Sequence, residues 1–142
     1  MTDANSETLV RPRAGTEMLG DADAVANLAV KDLARAREFY EGLLGFSQVA
    51  EEGGELIVYK SGKTVFNVYR SDYAGTNQAT AMTWAVGDRV SELAEALAAK
   101  GVKFEHYDMP GMRREGDVHI AGEMKVAWFK DPDGNILNIA SG

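Results

Sequence analysis

The sequence predicts an α+β protein built from two tandem βαβββ modules, and three observations carry that prediction. A strand, an Asp cap, a helix and a closing glycine occur twice at one offset: Val30 and Val86, Asp32 and Asp88, and Gly45 and Gly101 are each 56 positions apart. Short runs of alternating apolar residues follow each helix, separated by glycine-containing turns. The chain then closes on Trp128-Phe129-Lys130-Asp131-Pro132-Asp133-Gly134-Asn135-Ile136-Leu137-Asn138-Ile139, which spells an antiparallel hairpin. Asp131 suits the first position of a type I turn, Pro132 presets φ at the second and Gly134 takes the fourth.

The elements follow in order. Residues 1–23 are polar, contain Pro12 and show no sustained period, so they read as an N-terminal arm with a short strand at Thr8–Arg11. Val25–Val30 alternates as a strand. Asp32 is a good N-cap, and Leu33, Ala36, Phe39, Tyr40, Leu43 and Leu44 have helical spacing that Gly45 ends. Strands are expected at Phe46–Glu52, Leu56–Lys60 and Thr64–Tyr69, joined through Gly53-Gly54 and Ser61-Gly62-Lys63. In the second half, a strand at Thr83–Asp88 leads to Asp88 as the cap. Val90, Leu93, Ala94, Leu97 and Ala98 form a helical stripe, and strands follow at Val102–Tyr107, into Phe129, and at Ile136–Ala140. The offset between the last strands grows to 71, from Asn67 to Asn138, so module 2 carries an insertion, read as a loop over Asp108–Glu123. The expected organisation is a single domain over 24–142, with modules at about 24–70 and 79–141.

Composition excludes several function classes. The chain of 142 residues has no cysteine, which removes disulfides, thiolate metal sites and cysteine nucleophiles. A net charge of −7 and a pI near 4.8 lack the basic footprint of a nucleic-acid binder. No apolar run is long enough to span a membrane, and the N-terminus has neither a basic n-region nor an apolar h-region. The expected location is cytoplasmic.

The strand-to-Asp-cap segments, the Phe39-Tyr40…Leu44-Gly45 helix end and Phe129…Asp131-Pro132-Asp133-Gly134-Asn135 together resemble the glyoxalase/bleomycin-resistance/ring-cleaving dioxygenase (vicinal oxygen chelate) superfamily. The resemblance covers roughly Ala24 to Ala140. It implies curved mixed sheets enclosing a cavity with helices outside, in a superfamily that includes both metal enzymes and metal-free binding proteins. The metal enzymes place a ligand, usually His, seven residues before each capping Asp, and a further ligand, usually Glu, on each module's fourth strand. Those positions here are Val25, Ala81, Asn67 and Asn138. Valine and alanine offer no lone pair, and two neutral amides do not compensate a divalent ion. The expectation is therefore no metal, no cofactor and no catalytic residue. His106 and His119, thirteen residues apart across a Pro/Gly loop, match no common ligand spacing.

Strand alternation nominates the cavity walls. Asn27 and Thr83 share a face with the former ligand positions on the first strands, while Trp84 points to its module's helix. Asn67 and Tyr69 face inward on one fourth strand and Asn138 on the other; Trp128 and Val126 do so before the turn. Tyr59, Tyr107, Met109 and Met112 are further wall or lid candidates. This set suits a bulky aromatic or antibiotic ligand, stacked on Trp or Tyr and oriented by Asn. The first functional reading is a metal-free sequestering protein that acts as a homodimer, like the bleomycin-resistance branch. The alternative is a lyase, isomerase or dioxygenase with a relocated metal, or a cofactor-free acid–base catalyst using His106, Glu105 or Asp108.

Overall fold

The computed structural model describes residues 19–142. The strand expected at Thr8–Arg11 and most of the arm lie outside the described residues. The fold is α+β, with two mixed sheets, two principal helices and no closed barrel. Sheet 1 contains β1 (Ala26–Val30), β2 (Ser47–Glu52), β3 (Leu56–Ser61) and β4 (Thr64–Arg70), in the order β1-β4-β3-β2. Between β1 and β2 runs α1 (Leu33–Arg37), which continues as a π-helical segment over Glu38–Leu43. Asp32 caps α1 as expected, its Oδ1 accepting from the Ala34 amide at 2.9 Å. The widened turn closes where the Leu44 amide donates to the Phe39 carbonyl at 3.0 Å, and it leaves the adjacent Phe39 and Tyr40 both buried.

Sheet 2 contains β5 (Thr80–Ala85), β6 (Phe104–Glu105), β7 (Arg113–Glu115), β8 (Val118–Ala121), β9 (Met124–Lys130) and β10 (Ile136–Ala140). Its order is β5-β10-β9-β8-β7, with β6 also on β9. In each sheet the first strand runs parallel to the last: Asn27 lies opposite Asn67, and Thr83 opposite Asn138. The helix α2 (Val90–Ala99) packs behind β8 and β9.

Two expectations change here. Asp88 does not cap α2. A short 3₁₀ turn over Gly87–Arg89 intervenes, started by Gly87 at φ 63°, and neither terminus carries a side-chain cap. The insertion read as a loop contains the hairpin β7–β8. β6 pairs with β9 only at Trp128 and Phe129, and β8 takes over the same edge from Val126 to Met124. An edge left unpaired would expose its amides, and the inserted hairpin covers it.

The core lies under the helices, where the apolar faces of the two sheets meet. Trp84 stacks on Phe46 at 5.4 Å and on Phe129 at 6.3 Å, and its indole N–H donates to Ser61 Oγ at 3.1 Å. It thus packs against aromatic rings of both modules.

A second tie between the modules is polar. Asp131, only 4% exposed, accepts from Tyr40 Oη at 2.7 Å and from Asn135 Nδ2 at 2.8 Å on one oxygen. Its other oxygen accepts the amides of Asp133 and Asn135, each at 2.9 Å. Asn135 Nδ2 also donates to the Ala29 carbonyl of β1 at 2.8 Å. The Gly134 amide closes the predicted turn on the Asp131 carbonyl at 3.0 Å. Above the turn passes Gly75, at φ +83°, where a Cβ would stand 2.6 Å from the Asp133 carbonyl oxygen.

Tyr40→Phe removes one of four donors to a buried carboxylate and should cost about 1.5–3 kcal/mol, measurable by urea unfolding. Burial and the Asp131 carboxylate push the Tyr40 phenol far above its ordinary value; burial and Glu41 push Tyr59 up as well. The native state therefore keeps protons that the unfolded chain releases near pH 10, so the contribution of these two phenols to stability should be full below about pH 10 and be lost above it. Phenolate absorbance during alkaline unfolding should show these two tyrosines ionising with loss of structure.

Candidate functional site

Opposite the helices, each sheet presents an open face. On sheet 2 the register brings together Thr83 of β5, Asn138 of β10, Val126 and Trp128 of β9, and His119 of β8. Trp128 sits directly across from Asn138, and its indole N–H donates to Thr80 Oγ1 on β5 at 3.1 Å, so the ring spans β10. Tyr107 meets Trp128 edge to face at 5.3 Å. His119, buried beside them, has its ring 4.9 Å from Trp128 and accepts the Tyr107 amide at Nε2, at 2.9 Å. Burial, with Glu105 nearby, pushes the Tyr107 phenol above its ordinary value, so it remains a neutral donor through the physiological range.

A cavity of about 760 Å³ opens on this face. Tyr107, Met109 and Trp128 line it together with the linker residues Asn77 and Gln78 and the charged Asp108 and Lys130. A second cavity of about 270 Å³ lies on the open face of sheet 1, with Asn27, Tyr69, Tyr73 and Ala81 in its lining. Gly75 and Asn77 border both, so the linker between the modules separates the two spaces.

Of the ten nominated ligand-binding residues, Tyr107, Met109 and Trp128 line the larger cavity, and Asn27 and Tyr69 the smaller. Asn67, Thr83, Asn138 and Met112 line neither. Asn67 lies on the open face of sheet 1 and donates to Asn27 Oδ1 at 3.1 Å; Asn138 is buried beneath Trp128, only 8% exposed.

Tyr59 is corrected. It is fully buried on the helix side, stacked on Tyr40 at 5.9 Å, with its hydroxyl donating to Glu41 at 2.8 Å. The cause is register: Tyr59 lies opposite Phe66, and Val58 opposite Asn67, so Tyr59 and Asn67 occupy opposite faces. Sequence reading missed His119 as a site neighbour, and also Thr80 and the Gly75–Ala79 linker.

The metal positions of the resemblance keep their poor donors in three dimensions. Val25 is 41% exposed, Ala81 brings only a methyl group, and the Asn67 amide is engaged with Asn27. These residues do not fit a divalent cation. Among the described residues no three His, Cys, Asp or Glu side chains gather to hold one. His106 Nε2 pairs with Asp117 at 2.8 Å on the exposed side of the hairpin, and Glu105 stands 3.9 Å from Lys130. Also among the described residues, no helix is long and apolar enough to cross a membrane.

Comparison with known proteins agrees with this architecture. The family model of the Glyoxalase/Bleomycin resistance protein/Dioxygenase superfamily matches residues 23–139, and the chain belongs to that superfamily. No curated protein matches. Among solved structures, the fosfomycin resistance protein FosX from Mesorhizobium loti is similar at 14% identity and TM-score 0.62, covering 86% of this chain and 92% of that one. Lactoylglutathione lyase from Agrobacterium tumefaciens is similar at 18% identity and TM-score 0.61, over 84% of this chain and 92% of its own. A FosX variant from Listeria monocytogenes, complexed with Mn(II) and 1S,2S-dihydroxypropylphosphonic acid, reaches TM-score 0.65 at 17% identity, over 86% and 90%. At these identities the likeness is one of fold.

The two faces should respond differently to mutation. Asn67→Ala breaks an exposed amide pair and should change stability by no more than about 0.5 kcal/mol. Tyr59→Phe, which strips a hydrogen bond to a carboxylate from a buried ring, should cost about 1.5–3 kcal/mol in the same urea titration.

Proposed function

We propose that this superfamily member is a metal-free small-molecule binding protein that sequesters a bulky, flat aromatic ligand of the antibiotic class. One observation carries the reading. A roomy cavity is walled by Trp128 and Tyr107, while the four positions that would hold a metal are Val25, Asn67, Ala81 and Asn138. Aromatic walls with a few amides bind conjugated rings by stacking and orient them by hydrogen bonds. Lys130, which stands 3.9 Å from Glu105, and Asp108 add charged groups to the lining.

Residues 24–142 act in this reading as one ligand-binding domain in the cytoplasm, and a homodimer is its working form. Support comes from the open face of sheet 1, where Val25, Val65 and Tyr69 are each more than a third exposed. A second copy would cover them and bring Asn27 and Asn67 into a shared site. The enzymatic alternative has less support, because His106 and Glu105 are engaged with Asp117 and Lys130; it would have to use Asp108, which lines the cavity, or the imidazole of His119 behind Trp128.

The deciding experiment is calorimetric titration of aromatic natural products into protein purified without chelator, with elemental analysis of the same sample. The expected result is a bound, chemically unaltered ligand at less than a tenth of an equivalent of Zn, Mn, Fe or Ni, allowing for adventitious ion. Trp128→Ala should weaken that binding by about tenfold or more without unfolding the protein. A stoichiometric metal, or recovery of a converted product, would overturn the reading.

A further inference from the structure

Behind the Tyr107–Trp128 pair lie two buried polar atoms with no hydrogen-bond partner, Nδ1 of His119 and Oδ1 of Asn138. His119 is 1% exposed and Asn138 8%. The Tyr107 amide donates to Nε2 of His119, so that nitrogen carries the lone pair. A neutral imidazole has one proton, which is then on Nδ1. One of the two atoms is therefore a hydrogen-bond donor and the other an acceptor.

Their placement is consistent with a shared task. His119 lies opposite Val126 and Asn138 opposite Trp128, and residues 126 and 128 project from one face of β9. Donor and acceptor thus belong to the same face, on either side of the strand that carries Trp128. The cavity reaches Trp128 and Tyr107 but stops short of both atoms. Both rings touch His119, Tyr107 at 6.2 Å and Trp128 at 4.9 Å between centroids. The indole is fixed across β10 by its bond to Thr80, a group at the cavity wall. Buried polar groups in native proteins are almost always paired, and an unpaired one carries a desolvation cost that a bonding partner returns.

We propose that His119 and Asn138 form an inner polar subsite, reached by displacing Trp128, that recognises a neutral planar group carrying both an acceptor and a donor, such as a lactam or primary amide. This rests on the reading of the adjoining cavity as a ligand site, and it specifies the chemistry of that ligand. The acceptor of the group meets His119 Nδ1–H and the donor meets Asn138 Oδ1. An anion is disfavoured because it would face the Asn138 carbonyl oxygen, and a cation because it would face an N–H. Once Trp128 has moved off Tyr107, the flat body of the ligand packs between the two rings. His119 belongs to the inserted hairpin, so the subsite exists only because module 2 is longer than module 1.

The test uses three probes of similar shape with the whole protein: the bicyclic lactam carbostyril, naphthalene, and naphthoate. Calorimetry should find carbostyril bound about tenfold or more tightly than either of the others. His119→Phe and Asn138→Leu should each remove most of that advantage and leave naphthalene affinity within about twofold. In the unmodified protein, heteronuclear NMR of the imidazole nitrogens should show a neutral ring protonated at Nδ1, with that proton shifting on addition of carbostyril. This last measurement does not depend on the variants folding. Equal affinity for all three probes, or an Nε2-protonated ring, would overturn the subsite and leave the cavity reading intact. Binding of none of them would overturn the cavity reading and the subsite together.

Discussion

The hydrogen bonding around Asp131 is the constraint on which the rest of the molecule depends. A carboxylate this buried is costly unless its oxygens are met by donors, and four meet it here. One donor is the phenol of Tyr40 from the helical segment of module 1; the other three come from the turn itself. Asn135 then reaches the Ala29 carbonyl on β1. The turn that ends β9 and starts β10 is thereby anchored to the first strand and the helix of the other module. Its position sets where β10 begins, and so where Asn138 and its neighbour Trp128 stand. Trp84 and its aromatic neighbours hold the modules together by contact, but the hydrogen bonds fix their relative setting, because they are directional and dispersion is not.

From that anchor the division of labour follows. The helix faces supply cohesion through a connected set of aromatic rings. The open faces are released from packing and can carry polar and flat side chains at exposed or half-buried positions. Small residues at Ala29, Ala81 and Ala85 leave room there, and the amides of Asn27 and Asn67 pair with each other. The same frame that positions metal chemistry in related proteins is compatible here with recognition by stacking and neutral hydrogen bonds.

Much of this was legible in the sequence. The repeated offset of 56 residues between cap and helix-end positions announced two modules, and Asp-Pro-Asp-Gly-Asn announced the turn. The helix cap at Asp32 was read correctly because an Asp before an apolar stripe has a local cause. Asp88 failed the same test because Gly87 allowed a left-handed start to a 3₁₀ turn, a choice that local preference does not decide. Tyr59 was misplaced, although the signal was present. Ser61-Gly62-Lys63-Thr64 is a two-residue hairpin with glycine first, which pairs Ser61 with Thr64 and so Tyr59 with Phe66. His119 was missed for a related reason. Gly116-Asp117 and Gly122-Glu123 are turns of the same length, and counting outward from the second puts His119 opposite Val126, on the face of Trp128. The linker walls had no comparable signal, since their place depends on Gly75 passing over a turn far away in sequence.

The way the inserted hairpin is attached has an evolutionary consequence. β8 pairs with β9 only beyond the point where β6 stops, and β7 pairs with β8 alone at the outer margin of the sheet, away from the Asp131 anchor and the Trp84 stack. Rewriting the exposed β7 and its turn would therefore tax the scaffold little, whereas β8 must keep Val118 and Ile120 for the core and is free to vary at His119, beside Trp128. Architecture and selectivity alternate residue by residue along β8, so single positions can drift while their neighbours are held.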